Sequence, residues 1–533
     1  MGDPKNFPEV KMDFPIADGP FKPTWDSINQ NAPASPEWLR EAKFGFWVHF
    51  GPQAAGRSGD WYARKMYQEG TSAYKNHLSD FGPDSQTGYK EVLHTWNPVK
   101  LDPAGYMKLY HEAGARFVLV QGVHHDNFDL WNSKYQPWNA VNMGPKRDLL
   151  GEWSKAAKET DMRFGVSFHH EYTWWWWQTA FHRDTSGPQA GLPYDGGLPL
   201  AKGKGKWWEG YDPRLLYGID LQEYQGLNDF KYRPEQGIFL NHLAYAHWYA
   251  TRWALRILDV IEKYDPDFIY TDGDDKQPFS GYKSGTGYKC DAAARVIASY
   301  YNRTLQKRGK LDTFSIIKFH PPCHGIVTTF ESHYPKDIKT DQPWIGENAV
   351  GDWFYRPGIV YSSAAVIRYL LECVSRDGNY AVNIPMAPDG SLDPACVQML
   401  HEIGDWMKIN GEGIYGSKAW VKFGEGANGQ VKKLPTGALD QRQASFAFET
   451  TDFRFTMGHD GALYAFCLAV PAPGAIIKIT SLDGTTGLSK TGIHSVTLLG
   501  SKAPIQWKQE ADGLSITCPA SMPFKTAITF KIH

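Results

Sequence analysis

Short, almost unbroken apolar runs recur along most of the chain, and each stops abruptly at polar or charged residues. Phe44-Gly45-Phe46-Trp47-Val48 leads into His49, Phe50 and Gly51, and Phe117-Val118-Leu119-Val120-Gln121 leads into His124-His125-Asp126. Phe164-Gly165-Val166-Ser167-Phe168 meets His169-His170-Glu171, and Phe268-Ile269-Tyr270-Thr271 meets Asp272-Gly273-Asp274-Asp275. Runs of this length bounded by turn residues predict strands buried on both faces. Residues 314–318, 326–330 and 380–384 continue the series, the second ending in Glu331. Helical patterns fall between them, at 36–40, at 101–115 with Pro103 in the first turn, and at 149–160, 291–307, 364–374 and 396–409. Residues 242–264 place Ala254, Leu258 and Ile261 on one helical face just before the Asp272 strand.

Repeated strand and helix alternation predicts an α/β fold, a (β/α)8-type barrel whose chemistry sits at the carboxyl ends of its strands; a doubly wound sheet is the alternative. The first 40 residues, rich in Pro, Asn and Asp, are expected to wrap the surface. A Gly/Pro-rich insertion over 183–237, with Trp207, Trp208 and Tyr211, is long enough to be a lid or binding loop, and its two tryptophans are candidate stacking platforms on the leaving-group side. Beyond Trp420 the pattern becomes short alternating strands such as 444–448, 463–467 and 527–531, which predicts a β-sandwich. The expected division is 1–420 for the barrel and 421–533 for the sandwich.

Composition narrows the partners. Lys+Arg 56 against Asp+Glu 58 gives a net charge of -2 with no basic block, so neither nucleic acid nor an anionic membrane is an expected partner. No apolar run approaches the ~18 residues of a membrane span. The start, Met1-Gly2-Asp3-Pro4, carries no apolar signal core, and a periplasmic or secreted location is expected only if an export signal once preceded it. The six cysteines lack CxxC spacing and support neither a disulfide framework nor a zinc site. Aromatic residues reach 14%, including 21 Trp; flat rings are what sugars stack on, and a large core buries them equally well.

The candidate chemistry lies at the strand tips: His49, His124, His125, His169 and His170, with the carboxylates Asp272 and Glu331. Asp272-Gly273 is also a plain turn signal. A metal reading would use several histidines and Asp272 to activate water, but HxH and HExxH are absent, and neighbours such as His124 and His125 do not easily reach one ion from a strand. A glycosidase reading has the histidines bond sugar hydroxyls while one carboxylate attacks the anomeric carbon and a protonated carboxyl frees the leaving oxygen.

Residues 41–51, Asp60-Trp61-Tyr62-Ala63, the block His124-His125-Asp126-Asn127-Phe128-Asp129-Leu130-Trp131-Asn132-Ser133-Lys134-Tyr135, Lys146-Arg147-Asp148, and Asn410-Gly411-Glu412-Gly413-Ile414-Tyr415 resemble the α-L-fucosidases of glycoside hydrolase family 29. The resemblance covers roughly residues 36–420. It implies a retaining exo-glycosidase with a barrel and a C-terminal β-sandwich, a carbohydrate substrate, and neither metal nor organic cofactor. It implies Asp272 as nucleophile and His49, Trp61, His124 and His125 as ligands of the sugar. Glu331 is the first choice for acid/base and Glu347 the second; Lys318 lines the subsite, and Tyr172 is a further candidate.

Several positions depart from the family pattern. Tyr270 stands where Trp is common, Phe50 where Trp follows the first histidine, Asp60 where Glu precedes Trp-Tyr, and His169-His170 where aromatic and hydroxyl residues are usual. If these give a polar contact near C6, an exo-α-L-galactosidase is the alternative to a fucosidase, because a site built to bond a hydroxyl rejects the deoxy sugar. A non-catalytic carbohydrate-binding relative is the remaining reading.

Overall fold

The computed structural model describes residues 7–171, 173–221, 239–273, 278–281, 286–318, 320–426, 448–485 and 492–533. Eight parallel strands form one sheet: β1 Phe44–Val48, β2 Phe117–Val123, β3 Arg163–Phe168, β4 Phe268–Thr271, β5 Phe314–Ile317, β6 Thr328–Glu331, β7 Trp344–Ala349 and β8 Asn379–Asn383. Their order, β5-β4-β3-β2-β1-β8-β7-β6, makes β5 and β6 the two edges. A parallel bridge between Ser315 and Ile326, with Val327 N donating to Ser315 O at 2.9 Å, brings those edges together and closes the barrel. Closure removes the unpaired edges that an open sheet would leave.

Side chains alternate across each strand, and here both faces are apolar. Trp47, Leu119, Phe268, Tyr270, Phe314, Ile316, Ile345 and Ala381 fill the lumen. Phe46, Val48, Val118, Val120 and Ile269 point outward against the helices, into a separate and larger cluster. This explains why the strands read as continuous apolar runs.

The main helices fall within a few residues of the sequence expectation: Pro103–Glu112, Leu149–Glu159, Leu243–Tyr264, Ala292–Arg308, Ser363–Val374 and Pro394–Asn410. Asp102, Asp148 and Ser362 cap three of them by accepting from Gly105 N, Gly151 N and Ala365 N. Two features differ from expectation. β7, Trp344-Ile345-Gly346-Glu347-Asn348-Ala349, has too little apolar character to stand out, yet it is buried throughout. The N-terminal wrap contains a helix at Trp25–Asn31, capped by Thr24.

The C-terminal region is two antiparallel sheets. One contains β9 Lys418–Glu425, β10 Phe453–Met457, β11 Leu463–Cys467, β13 Val496–Leu498 and β16 Ile528–Ile532; the other contains β12 Ile476–Ile479, β14 Gln506–Glu510 and β15 Gly513–Thr517. They enclose their own core of Phe453, Phe455, Ile479, Ile516 and Phe530. The pairing of β9 with β10 starts the sandwich at Lys418, slightly ahead of the expected 421. Of the expected strand 444–448, all but Phe448 lies outside the described residues.

Barrel and sandwich are joined by buried polar contacts. Glu372 of the 363–374 helix accepts from Arg376 at 2.6 Å and from Arg454 of β10 at 2.5 and 2.8 Å. Thr529 Oγ1 donates to Asn410 Oδ1 at 2.6 Å, and Thr456 Oγ1 to Gly413 O at 2.7 Å. The Asn410–Tyr415 motif therefore serves the junction between the domains, away from the strand tips. Among the described residues no helix is long and apolar enough to cross a membrane.

Candidate active site

The lumen alternation places the chemistry. Two residues beyond Trp47, Tyr270, Ile316 and Ile345 come His49, Asp272, Lys318 and Glu347, so the apolar layer inside the barrel is succeeded by a polar layer at its carboxyl rim. A cavity of about 430 Å³ opens there, and His49, Asp60, Trp61, His124, His125, His169, Tyr270, Asp272, Lys318, Glu331 and Glu347 all line it. Tyr172 lies outside the described residues.

Asp272 is held from two directions, by Lys318 and His169, with His125 alongside. Lys318 Nζ is 2.9 Å from Oδ1, His169 Nδ1 donates to Oδ2 at 3.1 Å, and His125 Nε2 is 3.6 Å from Oδ2. Burial pushes its carboxyl up, but the Lys318 ammonium and the His169 donor outweigh burial and hold it below the usual carboxylate range. Asp272 is therefore a carboxylate at any working pH. Burial drives Lys318 the other way, and the surrounding acids, Asp272 first, raise it well above an ordinary lysine.

Burial keeps His49, His124 and His125 neutral, and the partners of His124 and His125 fix their tautomers. His125 Nδ1 lies 2.6 Å from His169 O, an acceptor only, so Nδ1 carries the hydrogen and Nε2 presents a lone pair to the cavity. Burial brings this ring down to about 3. Gln53 Nε2 donates to His124 Nδ1 at 2.7 Å, which leaves the His124 Nε2 hydrogen to face the cavity beside Asp60, 3.9 Å away. His49 is fixed through its backbone, whose N–H donates to Asn383 Oδ1 at 2.9 Å, while its buried Nδ1 has no protein partner. Burial lowers both His49 and His124 well below the ordinary histidine range. The result is a set of donors and acceptors of known sense that a polyhydroxylated ring can satisfy.

Two further carboxyl groups have different settings. Glu331 accepts from Lys318 Nζ at 2.8 Å through Oε2 and from Trp353 Nε1 at 3.1 Å through Oε1, with its side chain 35% exposed at the mouth. Because one ammonium touches Asp272 Oδ1 and Glu331 Oε2, those oxygens are at most about 5.7 Å apart, the two contacts laid end to end. Glu347, its register neighbour on β7, is 1% exposed and accepts from Tyr270 OH at 3.0 Å. Burial, opposed by Lys318 and helped by Glu331, pushes Glu347 up to about 8.

The wall after β1 is built on a strained turn. Trp61 adopts φ 64°, uncommon for a bulky residue, as the cap of the 62–65 helix, and its N–H donates to Asp60 Oδ1 at 2.9 Å. Burial and then the neighbouring Asp352 push Asp60 up to about 8. The sequence reading missed Trp47, Lys65 and Trp353 in the wall, and Gln53, Asp352 and Asn383 behind it. Trp47 was findable, being two residues before His49 on the same strand face. Trp353 follows β7 in a loop and carried no signal of its own.

The two tryptophans of the insertion do not face the cavity. Trp208 is 1% exposed, with Lys90 and Lys206 over its ring, and Trp207 stacks on His94 at 4.2 Å. No described residue of 183–237 lines the cavity, because these tryptophans bury their surface against the barrel instead of displaying it. Of the block 124–135, only His124 and His125 reach the cavity. Asn127 and Asp129 engage Arg256, and Trp131 Nε1 donates to Asp259 at 2.9 Å, fixing the long helix that feeds β4.

Two triads, His49-His124-His169 and His125-His169-Asp272, bring one potential ligand atom each within reach of a common metal ion. His124 and His125 fall in different triads, as their adjacency requires. In the second, Lys318 already sits against Asp272 and a dication would have to share that carboxylate with an ammonium, while His169 Nδ1 is committed as a donor. In the first, His124 Nδ1 is taken by Gln53 and its Nε2 carries the hydrogen, so both donor sets fit a neutral polyol better than a cation.

The α-L-fucosidase family model matches residues 10–412, and the α-L-fucosidase C-terminal domain model matches 447–533. Tissue α-L-fucosidase of Rattus norvegicus is 24% identical over 525 residues, covering 96% of this chain and 92% of its own length. That of Homo sapiens is 24% identical over 528 residues, with 96% and 91% covered. Among solved structures, Thermotoga maritima α-fucosidase aligns with a TM-score of 0.66 at 20% identity, covering 96% of this chain and 100% of that one. An α-L-fucosidase from Bacteroides thetaiotaomicron aligns with a TM-score of 0.57 at 17% identity and 98% coverage of both. These likenesses establish a shared two-domain fold.

Proposed function

The chain belongs to the α-L-fucosidase family of glycoside hydrolases, and we propose that it is a retaining, exo-acting enzyme that releases terminal α-L-fucose from oligo- or polysaccharides by double displacement. Asp272 attacks C1 as Glu331 passes its proton to the departing glycosidic oxygen; the C1–O bond breaks and a glycosyl ester forms on Asp272. Water, deprotonated by Glu331, then attacks C1 from the opposite face and frees Asp272, so two inversions restore the starting configuration.

The observation that carries this reading is the single ammonium shared by Asp272 and Glu331, which limits their oxygens to about 5.7 Å. Retaining enzymes need ~5–5.5 Å and inverting ones ~6.5–9.5 Å, to leave room for water. Lys318 also supports the change of role. While Asp272 is charged it shares the ammonium with Glu331; once esterified, it releases the ammonium to Glu331 alone. Exposure supports Glu331 as the acid/base: it stands at the mouth where an aglycone leaves, while Glu347 is enclosed and engaged by Tyr270. Closure of the cavity floor by Tyr270 and Glu347 supports exo action.

The test is turnover of an aryl α-L-fucoside by the wild type and by Asp272→Asn. Loss of turnover with fucose affinity retained is expected. Wild-type protein that binds fucose without turnover would instead identify a non-catalytic relative.

A further inference from the structure

Glu347 is left over after the double displacement is assigned. Its β7 carboxyl meets Tyr270 of β4 from across the lumen, where Tyr270 lies one layer below Asp272. Tyr270 OH donates to Oε1, and Oε2, buried and bordering the cavity, has no protein partner. With the carboxyl neutral up to about pH 8, the proton resides on Oε2, the oxygen that Tyr270 does not occupy. The floor therefore offers an unsatisfied O–H donor, and a buried donor without an acceptor is costly.

A 6-deoxy sugar has no group for that donor. The wall after β1 and β2 offers His49 Nδ1, His124 Nε2, His125 Nε2 and Asp60 to its ring hydroxyls. A methyl group set on the floor would leave Glu347 Oε2 unpaired, and a hydroxymethyl group would place an oxygen there. Tyr270 makes this arrangement possible, since its hydroxyl donates to Oε1 and leaves Oε2 without a protein partner.

We propose that Glu347, positioned by Tyr270, recognises a hydroxyl on C6 of the terminal sugar, so that α-L-galactosides are substrates of this site and are preferred over α-L-fucosides. The proposal rests on the glycosidase reading above and adds the identity of the C5 substituent. It is tested by kcat/KM for 4-nitrophenyl α-L-galactoside and 4-nitrophenyl α-L-fucoside with the wild type, Glu347→Gln, Glu347→Met and Tyr270→Phe. The wild-type ratio of galactoside to fucoside is expected to exceed one. Glu347→Met lowers that ratio by roughly 100-fold, Glu347→Gln, which can still bond a hydroxyl, keeps it within about fivefold, and Tyr270→Phe falls between. A general structural defect would lower both sugars together and leave the ratio alone. A fucoside preference in the wild type, or a ratio that Glu347→Met leaves within about threefold, overturns the proposal. Turnover of neither sugar by the wild type would instead overturn the glycosidase reading.

Discussion

Asp272 and Glu331 meet at one atom: Lys318 Nζ is 2.9 Å from the first and 2.8 Å from the second. The ammonium lowers the Asp272 carboxyl and screens it from the neighbouring acid. Lys318 is thus a positioning residue with an electrostatic duty.

Lys318→Met is expected to move the acidic limb of the kcat/KM profile to higher pH. The sign follows from the cause: Lys318 lowers Asp272, so removing it raises the carboxyl and protonates the nucleophile earlier as pH falls. The rate at the optimum should drop about 100-fold, within the range for loss of a preorganised charge. An unshifted limb would contradict this role.

Glu331→Ala should depend on the leaving group. An aryl fucoside with a poor leaving group loses about 1000-fold, within the reach of general acid catalysis, and one with a highly activated leaving group loses far less in the glycosylation step. Azide should restore turnover with retention for Glu331→Ala and with inversion for Asp272→Ala. Equal losses on all leaving groups would remove Glu331 from the acid role.

Glu347 makes stability depend on pH. Its carboxyl is raised from 4.5 to about 8, so the folded state keeps a proton that the unfolded chain has released. Stability is undiminished below about 4.5, falls as pH rises through the window, and is lowest above 8, by about 5 kcal/mol. Asp60 titrates over much of the same window. Thermal melts from pH 5 to 9 should show Glu347→Gln declining less than the wild type, and parallel curves would refute the assignment.

The junction between the domains should be sensitive to Arg454→Met. Burial opposes the Glu372 charge, while Arg454 and Arg376 hold its carboxyl below the usual range. Removing one partner leaves a buried carboxylate half-compensated, at a cost of about 3–5 kcal/mol. Urea unfolding should show the loss as a lower midpoint or a separated transition for the sandwich. An unchanged curve would show that the contact contributes nothing net.

Most of the barrel strands are legible because both of their faces are apolar; β6, half-buried Thr328-Thr329-Phe330-Glu331, shows only through the β-branched run that enters it from Ile326. β7 is not legible, since a glycine and two polar residues interrupt its run while the barrel supplies their burial. The site residues on strands were readable from their position at the end of an apolar run. Loop residues such as Trp353 were not, because a loop's reach depends on contacts that no local pattern encodes. Trp207 and Trp208 misled for a related reason: composition marks an aromatic but not which surface it covers.

The spacing of Asp272 and Glu331 carries the mechanism, and product stereochemistry reports it most directly. Proton NMR of the wild type acting on an aryl α-L-glycoside should show the α-L anomer of the free sugar first, with the β anomer growing only by mutarotation. First appearance of the β-L anomer would mean a single displacement by water, and the short contact through Lys318 would then not describe the working enzyme.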